Sequence, residues 1–306
     1  MSAGRSDRSR IVDLGTEVHY RAFGGPSSGS TVVLVHGLGG SHLDWELLVP
    51  KLTGVGRVLA LDLPGFGLSE PTGRPATVDS NVRVLEDFVT QVAGAPVLLV
   101  GNSMGGLICV LLAARMPALV RGLVLLDPAL PAPPATGWTV AVQALPGVGE
   151  RLRRSRRLRI GPPATVLETL ERCGVEESAL PPELFESLVK LVARQSDVAG
   201  ADRACLSASR SLTWALIRSR RYHAAMGSIM APVLLIHGDQ DQLVPVRAAR
   251  AAARSHPRWR YVELRGVGHT PQLQAPDLVG SQITGWLRGL PEGADTEGQW
   301  GPAINP

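Results

Sequence analysis

The stretch "PVLLVGNSMGGLICVLLAARM" (96–116) sets a serine between two apolar runs of different character. Val97–Val100, bounded by Pro96 and Gly101, has the length and composition of a strand buried on both faces. The run after Ser103 is longer and suits a helix. Gly101, Gly105 and Gly106 flank the serine, as a strand turning sharply into a helix requires, because side chains there would collide. On such a turn the serine hydroxyl stands above the sheet edge and the next residue's N–H faces a developing oxyanion.

The bare pattern G-x-S-x-G is weak evidence, since it recurs at "GPSSG" (25–29) with Ser27 at its centre. That copy follows the polar segment "TEVHYRAF" (16–23) and precedes a strand-like run, so it reads as a hairpin loop. Context selects Ser103.

Four further apolar runs resemble the one before Ser103: "TVVLVHG" (31–37), "RVLALDLPG" (57–65), "GLVLLDP" (122–128) and "PVLLIHGD" (232–239). Helix-like stretches lie between them, at 41–52, 77–92 and 105–116. Alternation of this kind predicts an α/β fold, a mostly parallel sheet with helices on both faces. It stops after Pro128 and resumes with "PVLLIHGD", "PVRAARAAARS" (245–255), "RYVELRG" (260–266) and "DLVGSQITGWLRGL" (277–290). The expected organisation is an α/β core over 1–127 and 229–290, a helical insertion over 128–228, and a disordered tail over 291–306, whose composition is turn-forming.

With 44% hydrophobic and 19% charged residues, the 306-residue chain can bury a large core. Its net charge of +4 does not argue for a nucleic-acid partner, because only Lys51 and Lys190 among 31 basic residues are lysines and the arginine bias has a simpler source in codon usage. Cys109, Cys173 and Cys205 form no C-x-x-C or Cys/His cluster, so neither a disulfide framework nor a zinc site is expected. The start "MSAGRSDRSR" is polar, and no apolar run reaches the roughly 18 residues of a membrane span, which gives a cytoplasmic expectation.

A serine needs a base held by an acid before it becomes a nucleophile. "GDQDQLVP" (238–245) puts Asp239 and Asp241 at the end of one strand-like run, and "GVGHTPQLQAP" (266–276) puts His269 on a glycine-flanked loop after another. The order Ser, Asp, His is the one used by enzymes with this elbow.

Taken in order, "HGLGG" (36–40), "DLPGFGLS" (62–69), "GNSMGG" (101–106), the acid loop and "GVGH" (266–269) resemble the α/β-hydrolase superfamily over about residues 15–290. The resemblance is to the lidded serine branch of esterases, monoglyceride-lipase-like enzymes, carbon–carbon bond hydrolases and cofactor-free haloperoxidases. It implies Ser103 as nucleophile in a nucleophile elbow, His269 as general base and acid, and Asp241, the fourth position of G-x-x-D-x-x-V-P, as the acid rather than Asp239. Asp127 is an alternative, because some relatives place the acid after the earlier strand. The backbone N–H groups of Leu38 and Met104 would form the oxyanion hole. No metal or organic cofactor is implied, and residues 128–228 would form a lid. A serine at position 103 stands against the dehalogenase and epoxide-hydrolase branches, whose nucleophile is an aspartate.

The substrate implied is a small hydrophobic ester, acyl or aromatic, because "ALPAPPATGWTVAVQALPGVG" (129–149), with Trp138, is apolar. "RLRRSRRLR" (151–159) reads as a solvated helix face or, in a sharper reading, as a contact of Arg151–Arg159 with anionic lipid or a phosphate-bearing acyl carrier. Carbon–carbon hydrolysis and perhydrolase chemistry at the same site are the alternatives, and Leu38 departs from the small polar run that carbon–carbon hydrolases carry there. A non-catalytic receptor would usually lack a triad member. His36 is read as shaping its loop, His237 as a satisfied strand-end residue and Asp62 as a loop staple; His19, His42, His223 and His256 are assigned no role.

Overall fold

The computed structural model describes residues 8–26, 30–131 and 148–290. Ser27, Trp138 and the expected tail over 291–306 lie outside the described residues. Eight strands form one sheet: β1 (Ser9–Asp13), β2 (Glu17–Ala22), β3 (Val32–Val35), β4 (Val58–Leu61), β5 (Val97–Asn102), β6 (Val120–Leu126), β7 (Val233–Gly238) and β8 (Arg260–Leu264). Their order is β1-β2-β4-β3-β5-β6-β7-β8. The β1–β2 and β2–β4 pairs are antiparallel, and every pair from β4 to β8 is parallel.

The five apolar runs form β3 to β7, and the two-residue period of the strand divides their side chains between the faces. Val33, Val35, Leu59, Leu61, Leu99, Leu123, Leu125 and Leu235 share one apolar cluster. Their neighbours Val32, Leu34, Val58, Ala60, Leu98, Val100, Val124, Leu126, Leu234 and Ile236 share the other. The first cluster is covered by α2 (Val78–Phe88) and α3 (Met104–Arg115). The second is covered by Trp45 and by Val279, Ile283 and Trp286 of the C-terminal helix Pro276–Arg288.

Two local features depart from the sequence expectation. The polar segment 16–23 contains β2, which pairs antiparallel with the exposed edge strand β1 and with β4; its polar residues His19 and Arg21 are buried, so the strand carries no apolar run. Residues 41–52 form a 3₁₀ turn (His42–Trp45) and the short α1 (Val49–Leu52) rather than one helix. Pro50, with no N–H to donate, sits at the start of that second piece, where a proline is tolerated.

Between β6 and β7 the described chain is helical: α4 (Val148–Arg172), α5 (Pro182–Asp197), α6 (Ala201–Ile217) and α7 (Arg220–Gly227). α4 breaks at Gly161, whose φ of 77° precedes Pro162 and Pro163. Leu43 and Leu273 from the α/β part pack with Val166, Leu170, Val175, Leu180 and Leu184. Cys205, Ala208, Tyr222 and Met226 join the first cluster, so the insertion is anchored at both ends. After β7 come α8 (Val246–Ser255), α9 (Pro271–Gln274) and α10 (Pro276–Arg288). Among the described residues, no helix is long and apolar enough to cross a membrane.

Candidate active site

Ser103 joins β5 to α3 with φ 52° and ψ −119°. Among the described residues only Ser103 and Asp127 (φ 42°) combine a side chain with positive φ. Such positions cost on the order of 1–3 kcal/mol each and persist only where the surroundings hold them. Here the Ser103 N–H donates to the Leu126 carbonyl (3.1 Å), and the Ser103 carbonyl accepts from Ala129 N–H (2.9 Å). The glycines are sterically required: a Cβ on Gly101 would lie 2.7 Å from the Gly105 carbonyl, and one on Gly105 would lie 2.1 Å from that of Val35.

The loop after β3 stands beside this turn, since a Cβ on Gly37 would lie 3.1 Å from Ser103 Cβ. Gly40 N–H donates to the Gly37 carbonyl (3.1 Å) and Gly39 has φ 80°, a turn with Leu38 and Gly39 at its centre. Met104 opens α3, so its N–H has no acceptor within the helix. Leu38 and Met104 thus flank the serine on adjacent backbone. His36 shapes the loop as expected: its Nδ1 donates to the Gly37 carbonyl (2.7 Å) and its Nε2 accepts Leu63 N–H (3.0 Å). Burial pushes its pKa below the usual histidine range.

His269 Nδ1 lies 2.7 Å from Asp241 Oδ2. The other oxygen of Asp241 accepts N–H bonds from Leu243 (2.7 Å) and Val244 (2.9 Å), so the chain after the acid wraps the carboxylate. Burial raises the Asp241 pKa, but the bond and charge of His269 and the Val244 N–H outweigh it and hold the group below the usual carboxylate range. Asp239, the other aspartate of the loop, instead accepts Gly266 N–H (2.7 Å) and ties the acid loop to the histidine loop. Sequence reasoning missed Asn102, whose Nδ2 donates to the carbonyls of His269 and Leu126, both at 3.0 Å. Its position just before the serine was the available signal. The helical insertion also reaches the site, where His269 N–H donates to the Cys173 carbonyl (2.8 Å).

The two aspartates weighed as alternative acids turn out to be neighbours. Asp127, Asp241 and His269 each offer an atom to a cluster in which all lie within 4.8 Å of one another. Asp127 Oδ1 accepts Gly238 N–H (2.9 Å), while Oδ2 is buried with no hydrogen-bond partner. Burial first, and then the charge of Asp241, push the Asp127 pKa well above the usual range. His237 Nε2 donates to the Val244 carbonyl (2.9 Å), but its buried Nδ1 has no partner, so the residue is only half satisfied, contrary to the sequence reading.

A second buried cluster corrects the reading of His19 and His42. Both donate from Nδ1 to Asp62 Oδ2, each at 2.8 Å, and Leu68 N–H (2.8 Å) joins them. Asp62 Oδ1 accepts His42 N–H (2.6 Å). Each cluster has the donor spacing that a metal ion needs, but the nitrogens of His19, His42 and His269 already face carboxylate oxygens. In the basic run, Arg156 pairs with Glu168 (2.8 Å) and Arg157 with Asp202 (2.9 Å).

The chain is 28% identical over 295 residues to a haloalkane dehalogenase of Mesorhizobium japonicum, covering 92% of this chain and 91% of that one. It is 27% identical over 249 residues to a pimeloyl-[acyl-carrier protein] methyl ester esterase of Yersinia pseudotuberculosis, covering 80% and 88%. The solved structure of a thermophilic esterase from Thermogutta terrifontis superposes with a TM-score of 0.69 at 24% identity, over 92% of this chain and 98% of that one. The alpha/beta hydrolase fold family matches residues 30–276, and the chain belongs to it.

Proposed function

We propose that this α/β hydrolase is a serine carboxylic-ester hydrolase, with Ser103 as nucleophile, His269 as general base and acid, and Asp241 as the acid that orients the histidine. The observation that carries the reading is the serine held at positive φ on a glycine-walled turn, one residue after an asparagine bonded to the carbonyl of an aspartate-paired histidine. With its Nδ1–H on Asp241, the neutral His269 ring keeps a lone pair on Nε2. That nitrogen takes the Ser103 proton as Oγ attacks the ester carbonyl, and the Leu38 and Met104 N–H groups receive the oxyanion. His269 then protonates the leaving alcohol, and water repeats the cycle on the acyl-enzyme.

The dehalogenase name of one relative does not transfer to this chain. Displacement of halide by a serine would leave an alkyl ether, which has no carbonyl for water to attack, so the enzyme would not turn over. The esterase among the relatives fits a serine. Residues 128–228 act in this reading as a lid, and the substrate is a hydrophobic acyl or aromatic ester. A contact of the Arg151–Arg159 run with a phosphate-bearing acyl carrier fits the carrier-linked ester in that relative's name. Arg156 and Arg157 already pair with Glu168 and Asp202 within the chain, so such a contact would compete with those pairs.

The test is turnover of p-nitrophenyl esters of increasing chain length. Hydrolysis lost by roughly 10⁶-fold in kcat in Ser103→Ala is expected. Fluorophosphonate labelling of Ser103 without ester turnover would overturn ester hydrolysis in favour of carbon–carbon bond cleavage.

A further inference from the structure

Asp127 lies against the Asp241–His269 pair yet has no step in the reaction just described, and its role is read on the assumption that those residues are the catalytic acid and base. A carboxylate oxygen of Asp127 lies within 4.8 Å of one of Asp241, near enough for the charge of each to act on the other. Its Oδ2 meets no N–H or O–H donor, although it is buried. Both carboxyls are buried, where two ionised carboxylates repel strongly; one proton between them turns the repulsion into a hydrogen bond. Asp241 is the member with the stronger claim to the charge, because Leu243 N–H, Val244 N–H and His269 Nδ1 all point at it. Asp127 receives only Gly238 N–H. The proton therefore belongs on Asp127, where it also gives the orphaned oxygen a use.

We propose that Asp127 is a positioning residue: it carries the one proton shared by the two carboxyls, donates it to Asp241, and so holds the Asp241 carboxylate ionised and fixed against His269 Nδ1. The titratable groups around it are Asp241 and His237 on β7 and its loop and His269 on the histidine loop. Cys173 after α4 and Glu263 on β8 act on these from farther out. His237 does not compete for the role, since its Nε2–H is committed to the Val244 carbonyl and burial keeps its ring neutral. The backbone agrees with an assigned purpose, because Asp127 holds φ 42°, a conformation that aspartate and asparagine tolerate better than other side chains.

Asparagine at this position copies a protonated aspartate: it accepts from Gly238, donates to Asp241 and tolerates the backbone. Asp127→Asn should therefore keep kcat within about threefold of the natural protein, while Asp241→Asn loses about 10⁴-fold. Asp127→Leu removes the donor, makes Asp241 more basic, and should move the acid limb of kcat/KM to higher pH; asparagine restores it. Infrared difference spectroscopy gives a readout independent of turnover. Burial also raises the pKa of Asp44, in the 3₁₀ turn, to about 7, so the test is made in Asp44→Asn: a protonated-carboxyl C=O stretch should persist there at neutral pH, with or without Ser103→Ala, and vanish when Asp127→Asn is added. That band is decisive even if Asp127→Leu does not fold or the chain hydrolyses no ester. Absence of the band in Asp44→Asn, its survival when Asp127→Asn is added, or an Asp127→Asn enzyme as inactive as Asp241→Asn would overturn the assignment.

Discussion

Two buried clusters in this molecule hold the same ingredients, aspartate carboxyls with two histidines, and differ in how completely their atoms are paired. Around Asp62, both oxygens accept N–H donors, from His19, His42 and Leu68, and the backbone is unstrained. Around Asp241, Asp127 Oδ2 and His237 Nδ1 are left without partners, and Ser103 and Asp127, which among the described residues are the two that combine a side chain with positive φ, stand at its edge. Full satisfaction marks a staple that ties β2, the 3₁₀ turn and the loop after β4 together. Orphaned polar atoms and stored strain mark the place where the fold gives up stability, as expected of a reacting site.

The largest difference should be in activity. Asp241→Asn keeps the shape of the acid but turns a donor toward His269, so kcat should fall about 10⁴-fold in enzyme that remains folded. The loss caused by Asp62→Ala in enzyme that remains folded should be far smaller; comparable losses would erase the distinction between the clusters.

Next in size is stability. Asp62→Ala leaves four buried N–H groups without an acceptor and should cost about 3–5 kcal/mol in denaturant unfolding. The pH slope sharpens the point. Burial pushes the Asp62 pKa up, but the bonds from His19 and His42 and the charges of His42 and His36 outweigh it and hold it below its ordinary value, so the folded chain binds fewer protons than the unfolded one as pH falls below about 4. Stability from Asp62 is thus present above that range and lost on acidification, and Asp62→Ala should flatten the acid limb of an unfolding curve.

The third expected effect, absent near pH 4, has the opposite sign. Asp127 keeps its proton when folded and loses it above about pH 4 when unfolded. Here the folded state binds more protons, so stability falls as pH rises from about 4 towards the folded pKa, by up to about 1.4 kcal/mol per pH unit. Asp127→Asn removes that slope: its melting temperature should match the natural protein near pH 4 and exceed it increasingly towards neutrality. A constant difference at all pH values would contradict a proton held on Asp127.

The sequence made the parallel centre of the fold readable because β3 to β7 are buried on both faces and their apolar runs are unbroken. β1 and β2 escaped because they carry polar side chains rather than an unbroken apolar run, and the 41–52 segment because its 3₁₀ turn and short helix share one helical period. At the site, glycine spacing and strand ends pointed to Ser103, to His269 and to the loop of Asp239 and Asp241, and the family resemblance chose Asp241 of the two. Asn102 had only its place before the serine as a signal, while the pairing of His19 with His42 and the contact between Asp127 and Asp241 depend on residues far apart in the chain meeting across strand ends, which no local pattern records.

The most direct measurement compares the two clusters through their serines, since Ser9 Oγ lies 2.5 Å from His19 Nε2 and so completes a second Ser–His–Asp chain at Asp62. A fluorophosphonate probe, with the modified peptide mapped by mass spectrometry, should label Ser103 in the natural protein and in Ser9→Ala, and nothing in Ser103→Ala. Labelling that survives in Ser103→Ala, or that maps to Ser9, would contradict the assignment of chemistry to the strained cluster.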